Sequence, residues 1–264
     1  MSSVSRAVAA RYGSVARSYK RFWAPAMVVH SHPLIRATPV ERGDRIADLG
    51  AGVGAIAARL TRRARAVIGL DVTEGMLRLA PDQVSKVVGD MTQLPFADES
   101  LDGAFSTFVL QHVPRTGVLF REVARALRPG GFFATATWGT DDAESGGVYE
   151  VLNELFTRHR IPAEQQAPKA WHDHVDEPAK IARHAKGAGL VVENAWVARS
   201  TYRWSRPGFV GWATTMGPYG RRLLGVSDQV RARVIEDLQN DLAPLDDDAF
   251  TWTPECVYAV SIKE

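Results

Sequence analysis

The sequence predicts an α/β fold, a parallel sheet covered by helices. Three observations carry this expectation. Short apolar runs alternate with longer amphipathic stretches along the chain. The first of those runs leads into a glycine-rich turn, Gly50-Ala51-Gly52-Val53-Gly54. The second closes on an acidic residue, Asp71, about 20 residues after that turn.

The elements follow in order. Residues 6–22 place Val8, Tyr12, Val15, Ala16, Tyr19 and Phe22 at helical spacing. Pro25, Pro33 and Pro39 then predict a loop-rich linker around one short helix. The first strand spans Arg45–Leu49, and residues 55–65 form the helix after the turn. The second strand covers 66–70 and ends at Asp71, with a short helix over 74–79. The third strand, 84–88, ends at Gly89-Asp90. The fourth spans 101–108, and the helix after it, 118–127, is stopped by Arg128-Pro129-Gly130-Gly131. The fifth, 132–138, is rich in aromatic and β-branched residues.

Beyond it the pattern loosens. Residues 139–177 hold prolines, histidines and one helix over 148–159. Pro178–Gly187 reads as a helix ended by glycine. A long strand over 190–204, two helices within 206–241 and a last strand over 250–262 complete the order.

Composition excludes several classes. The 264 residues suit one large domain with an appended cap as well as two domains of about 150 residues. A 45% hydrophobic chain with 32 basic against 30 acidic residues is not mainly disordered. A net charge of +2 is too small to argue for nucleic acid or an anionic membrane. The lone Cys256 excludes an internal disulfide and a multi-cysteine metal site, and is compatible with a reducing cytoplasm. No apolar run approaches the roughly 20 residues of a membrane helix. Residues 1–10 lack the apolar stretch of a secretory signal. The expected location is cytoplasmic.

Glycine in the turn lets the backbone bend sharply and approach a ligand with no Cβ in the way. Asp71 could accept hydrogen bonds from both ribose hydroxyls of a nucleoside. Gly50, Gly52 and Ala55 also fit the dinucleotide fingerprint, so the turn alone leaves a nicotinamide enzyme open. Gly89-Asp90-Met91 adds a second strand end where a carboxylate could accept from an exocyclic amine and a backbone N–H could donate to a ring nitrogen. A nicotinamide enzyme is not expected to combine Asp90 with Arg128-Pro129-Gly130-Gly131.

With Gly69-Leu70-Asp71, residues 105–112 and residues 127–133, these ordered motifs resemble the class I S-adenosylmethionine-dependent methyltransferases. The chain is most similar to their small-molecule branch, which includes the ubiquinone and menaquinone biosynthesis enzymes. The resemblance covers roughly residues 45–138 and implies a Rossmann-like, seven-stranded, mostly parallel sheet. Its last strand would run antiparallel, with helices on both faces and a helical cap over the C-terminal edge. One domain over 1–264 would divide into a cap at 1–44, a cofactor-binding core at 45–138, cap insertions at 139–189 and 205–245, and late strands at 190–204 and 250–263.

The resemblance also implies roles. S-adenosyl-L-methionine would lie with its methionine part against Gly50, Ala51 and Gly52. Asp71 would hold the ribose, and Val72 and Met76 would pack on the adenine. Asp90 would accept from the adenine amine, and Met91 would donate through its backbone. Phe108 and Thr107 would sit near the sulfonium and amino-acid end. Asp48 would orient the turn or bind the cofactor's amino group. Tyr12, Tyr19 and Trp23 look like the start of the quinone-methylating enzymes, where Tyr19 could reach the methionine carboxylate. The plainer alternatives are core packing for Met76, a surface strand end for Asp71, and the apolar face of a helix for the N-terminal aromatics.

Methyl transfer is an in-line displacement, so holding acceptor and methyl at attack distance is the enzyme's main contribution. Aromatic faces can stabilise a cation, and Trp23, Trp138, Trp171, Trp204 and Trp212 are available. His112, just after the fourth strand, is the candidate general base, with a loop histidine as the plainer reading. His172-Asp173-His174 reads as a solvated lid loop, and no metal site is expected. Arg59, Arg62, Arg63 and Arg65 read as a solvated helix end. The cap residues Tyr149, Phe156, His159, Trp171, His172, Phe209, Trp212, Met216 and Tyr219 suit a partly apolar small-molecule acceptor. Arg203, Arg206 and Arg221 could recognise a carboxylate or phosphate, with solvation as the default. The expected state is a monomer or homodimer with no nucleic-acid partner and no membrane insertion. Two other readings stay open: a cofactor-binding protein of this fold without methyl transfer, and a nicotinamide-dependent oxidoreductase.

Overall fold

The computed structural model describes residues 3–140, 147–163 and 174–264. Helix α1 spans Ser3–Ser14 and α2 Ala16–Ser18, and a π-helical turn over Tyr19–Trp23 leads into α3, Ala24–Ala37. The expected loop-rich linker is therefore a 14-residue helix. Pro25 sits in its first turn, where a missing N–H costs nothing. Pro33 lies inside it and removes one backbone bond. Burial of Met27, His30, Leu34 and Ile35 against the core outweighs that loss.

Strand β1 is Arg45–Leu49. Only a short α4, Ala57–Leu60, forms within the expected 55–65 helix. Strand β2, Ala66–Asp71, helix α5, Glu74–Leu77, strand β3, Ser85–Val88, and strand β4, Leu101–Thr107, follow. Helix α6, Thr116–Ala126, runs straight into β5, Leu127–Trp138. Residues 128–131, expected as a break, join that strand through a register shift opposite Leu101 and Gly103.

Helices α7, Val148–Arg158, and α8, Pro178–Gly187, precede β6, Leu190–Arg199. The expected 190–204 strand is two, because β7, Tyr202–Arg203, pairs in a separate small sheet. Three helices replace the expected two: α9, Arg206–Thr215, α10, Gly217–Leu224, and α11, Asp228–Leu242. Met216 is extended and Gly217 has φ +60°, and Pro218 in the next turn forbids an unbroken helix. Strands β8, Thr251–Trp252, and β9, Glu255–Lys263, flank Pro254, which cannot donate to a ladder.

The main sheet has seven strands in the order β3-β2-β1-β4-β5-β9-β6. Strands β1 to β5 pair in parallel, and β9 runs antiparallel to both of its neighbours, as expected for the last strand. The central strands are buried on both faces, as parallel strands under helices must be. Ile46, Phe105 and Phe132 pack into one core cluster, and Leu49, Ala104 and Phe133 into a second. Each large side chain so buried contributes roughly 1.5–3 kcal/mol. The parallel register brings the carboxyl ends of β1 to β4 to one edge. Strand order reverses between β1 and β4, where ligands bind in sheets of this kind.

Candidate active site

The glycine turn lies at that reversal. Gly50 and Ala51 both donate to the Leu70 carbonyl, at 2.8 and 3.0 Å, which pins the turn to β2. Gly50 has φ +77°, and a Cβ there would meet Val109 Cγ2 at 2.6 Å. Gly52 has φ +54°, and a Cβ there would stand 3.3 Å from Met76 Cε. Both positions need glycine for conformation, and Gly50 needs it for space as well, whereas the Met76 methyl can move aside.

A cavity of about 290 Å³ opens above the turn. Gly50, Gly52, Asp71, Val72, Met76, Asp90, Met91, Thr107, Phe108, Tyr19 and His112 all line it. The predicted residues from four strand ends and the N-terminal segment therefore share one chamber. Asp48 and Ala51 are not in its lining. Asp48 is buried at 1% exposure and accepts the Ala57 N–H at 3.0 Å, holding the start of α4. Burial pushes its carboxyl up to about 7. Ala51 faces β2: a Cβ added at Gly69 would stand 3.1 Å from the Ala51 methyl.

The two acids are held differently. Asp71 Oδ2 accepts the Gly52 N–H at 2.8 Å and Oδ1 accepts the Thr73 N–H at 2.7 Å. A carboxylate has about four lone-pair sites, so both oxygens keep acceptor capacity. Burial raises its pKa, against the pull of those backbone donors. Asp90 Oδ1 accepts from Thr92 N and Oγ1, at 3.0 and 2.7 Å, and Oδ2 accepts from Ser5 Oγ at 2.7 Å. Burial pushes its carboxyl up, but the Thr92 and Ser5 donors outweigh it and leave the pKa lowered.

The other end of the chamber is aromatic. Phe108 has φ +55°, a conformation rare for a bulky residue and often kept at functional sites. Its N–H donates to the Ala136 carbonyl at 2.7 Å, and its ring stacks on Trp138 at 4.1 Å. The Tyr12 hydroxyl lies 2.9 Å from His112 Nε2, with the rings edge to face at 5.6 Å. Burial, helped by Arg11, lowers the His112 pKa to about 4. Its ring is therefore neutral at physiological pH. Burial raises the Tyr19 phenol, which stays protonated.

Val4, Ser5 and Val8 of α1, Thr73, Thr92 and the loop residues Val109 and Val113 also line the cavity, beyond what sequence reasoning named. A serine in an amphipathic helix carries no signal of its own. The loop residues follow directly from Phe108 and could have been included on that ground.

Other expectations change. Arg63, read as part of a solvated face, donates to the Ile35 and Thr38 carbonyls and caps α3. His159 pairs with Asp237 at 2.7 Å, tying α7 to α11. Tyr149, Phe156, Phe209 and Tyr219 are core residues. Arg203 pairs with Asp248 at 2.7 Å, and Arg206 donates to the Leu245 carbonyl at 2.8 Å. Trp171, His172 and Asp173 lie outside the described residues.

Comparison with known proteins gives the site a context. Residues 47–135 match the family described as a methyltransferase domain. Over 99 residues the chain is 41% identical to the biotin biosynthesis bifunctional protein BioHC of Cellvibrio japonicus, covering 36% of this chain and 20% of that protein. Over 210 residues it is 32% identical to the demethylmenaquinone methyltransferase of Mycolicibacterium paratuberculosis, covering 70% of this chain and 85% of that protein. The chain spans only about a fifth to a half of the length of the first curated relatives it matches. Among solved structures, the 4+2 cyclase SpnF shares the fold with a TM-score of 0.60 at 15% identity, covering 98% of this chain and 96% of that one. On the match across the glycine turn and the acidic strand ends, and on the relative covered over most of its length, the chain belongs to the S-adenosylmethionine-dependent methyltransferase family.

Proposed function

We propose that this protein transfers a methyl group from S-adenosyl-L-methionine to an oxygen, nitrogen or carbon of a small, partly apolar organic molecule. One observation carries the reading: Asp71 and Asp90 line the same cavity as the glycine turn, with acceptor capacity left on the half-buried Asp71.

These residues fit the cofactor. Gly50 and Gly52 both have positive φ and line the cavity with backbone alone, which leaves room for close approach. Asp71 would hold the ribose hydroxyls, and Asp90 with the Met91 N–H would read the adenine. Val72 and Met76 would cover its face. Gly50 and Gly52 would lie along the methionine part, with Tyr19, Thr107 and Phe108 near its sulfur end. Asp48 would act through Ala57, and Ala51 through β2, by positioning the turn. Bound S-adenosylmethionine supplies an electrophilic methyl group on a positively charged sulfur.

The chain's own part is placement. The aromatic end of the cavity, Tyr12, Tyr19 and Phe108 backed by Trp138, would exclude water and offer an aromatic face to a cation. His112 is proposed as proton acceptor in its neutral form. A pKa of about 4 makes it a weak base, so positioning does most of the work. The proposal includes one working unit over 1–264, with 1–44, 139–189 and 205–245 as cap and 190–204 and 250–263 as late strands. It includes a cytoplasmic site of action, in keeping with the buried free thiol of Cys256.

Isothermal titration calorimetry tests the reading. S-adenosylhomocysteine should bind the wild type in preference to NAD, and Asp71→Ala should lose that binding. Preference for NAD, or unchanged affinity in Asp71→Ala, would overturn it.

A further inference from the structure

The net charge of +2 hides an uneven distribution. Residues 1–40 contain six arginines and lysines and no aspartate or glutamate, so the rest of the chain stands at −4. Residues 194–227 are also free of acids and hold five arginines. The fold brings these two stretches together. Helix α9 packs on α2 and on the π-helical turn, and the Phe22 ring fills the space that a Cβ at Gly211 would need. Acids gather elsewhere: α11 carries Asp228, Glu236, Asp237 and Asp241 against two arginines.

A second cavity, of about 320 Å³, opens where the two stretches meet, and Tyr12 and Tyr19 line both it and the first cavity. Val15, Met216 and Pro218 give it an apolar wall, and among its described lining residues none is acidic. It reaches the surface through Arg11, Ser14, Thr215 and Leu224, all exposed. Leu224, at 70%, is the most exposed large apolar side chain among the described residues. Further along the same segment Arg17, Lys20 and Arg21 are exposed, and their spacing sets them on one face. The contacts of these cations are with neutral groups. Lys20 Nζ donates to the Leu79 carbonyl at 2.8 Å. The Arg11 guanidinium lies 5.3 Å from the Tyr12 ring centroid and that of Arg21 5.0 Å from Phe22. Glu74 of the neighbouring α5 is already paired with Arg78, at 2.7 Å.

We propose that this face docks on an anionic lipid bilayer, with residues 11–21 on the head groups, Leu224 in the interface and the mouth of the second cavity turned toward the lipid. The inference goes beyond the methyltransferase reading, and lipid binding does not depend on that reading. A basic face on an otherwise acidic molecule orients it toward a negative surface. Each arginine or lysine held near such a surface strengthens binding about fivefold. Guanidinium groups also match phosphate oxygens in pairs. A basic rim around an exposed leucine is the combination that suits the head-group boundary. A nucleic acid offers the same charge but no apolar phase for Leu224. Docked in this way, the second cavity would receive an apolar acceptor from the bilayer and pass it by Tyr12 and Tyr19 to the methyl donor.

The test is co-sedimentation of the intact protein with phosphatidylcholine vesicles, pure or containing about 30% phosphatidylglycerol. The mixed vesicles should bind at least tenfold more tightly than the pure ones, and about 0.5 M NaCl should abolish the difference. Arg17→Gln combined with Arg21→Gln should weaken binding by about tenfold or more. Arg233→Gln, on the acidic α11, should leave it unchanged. Orientation is read with an environment-sensitive dye. Because Cys256 is fully buried, Leu224→Cys offers a single reactive thiol. Dye placed there should brighten and shift to the blue on mixed vesicles, and dye placed by Arg233→Cys should not. Unchanged thermal midpoints show that the variants are folded. Equal binding to both vesicles, binding to neither, indifference to the paired arginine change, a silent dye after Leu224→Cys, or tighter binding to a duplex DNA oligonucleotide overturns the proposal. The S-adenosylhomocysteine titration separates the two readings: vesicle results leave it unmoved, and its failure removes the methyltransferase reading alone.

Discussion

Asp71 organises its cavity with lone pairs. It holds Gly52 and Thr73 in place and still presents acceptor capacity to a sugar. Two charge-assisted bonds of about 1.5 kcal/mol each predict that Asp71→Ala weakens S-adenosylhomocysteine about 100-fold by calorimetry. Gly50→Ala would force a Cβ onto Val109 at a left-handed φ. It should lower stability by about 1–3 kcal/mol in denaturant melts and weaken the same ligand. His112 is already neutral well below pH 6, so the turnover profile should show no histidine limb between pH 5 and 8. His112→Ala should lose less than the roughly 100-fold that marks a strong general base, measured as kcat. Asp71, Asp90 and the glycines were legible because each closes a strand, and a parallel sheet gathers its strand ends at one edge. Ser5 was not legible, because its bond to Asp90 depends on how α1 folds back over the sheet. The inverted backbone of Phe108 was hidden too, since nothing local demands it.

Helix α1 touches the site at two distant points, Ser5 on Asp90 and Tyr12 on His112. It also packs on α5, and both ties lie in the lining of the cavity that the ligand would fill. Hydrogen exchange of its amides should slow when S-adenosylhomocysteine is added. Ser5→Ala combined with Tyr12→Phe should speed ligand dissociation, measured by stopped flow. The helices that sequence misjudged all depend on contacts. Prolines at 25, 33 and 39 argue for a loop, yet α3 survives because Met27, Leu34 and Ile35 are buried. The helix after the glycine turn shrinks to Ala57–Leu60, since three left-handed glycines hold the preceding residues in turns.

Across the whole molecule, the parallel half of the sheet was readable from its apolar runs, because strands buried on both faces need little else. The C-terminal half was read less well: its helices and split strands are set by packing into a tryptophan-rich core that has no periodic signature. His30 lies at the centre of that core, fully buried, with its ring 4.7 Å from Trp252 and neither ring nitrogen hydrogen-bonded. Burial lowers its pKa to about 4. Between pH 6.5 and that value the unfolded chain binds a proton that the folded chain refuses, so stability falls as pH falls. Urea melts at pH 7 and 4.5 should therefore show His30→Phe losing roughly 2–3 kcal/mol less than the wild type on acidification.

Strand β9 is made after every other strand, yet its place is between β5 and β6. Until the ribosome has delivered residues 255–263, β5 has a bare margin and β6 has no neighbour in the main sheet. Such a margin invites pairing with other chains. The sheet cannot close until β9 has been made, so that margin stays open to other chains until then.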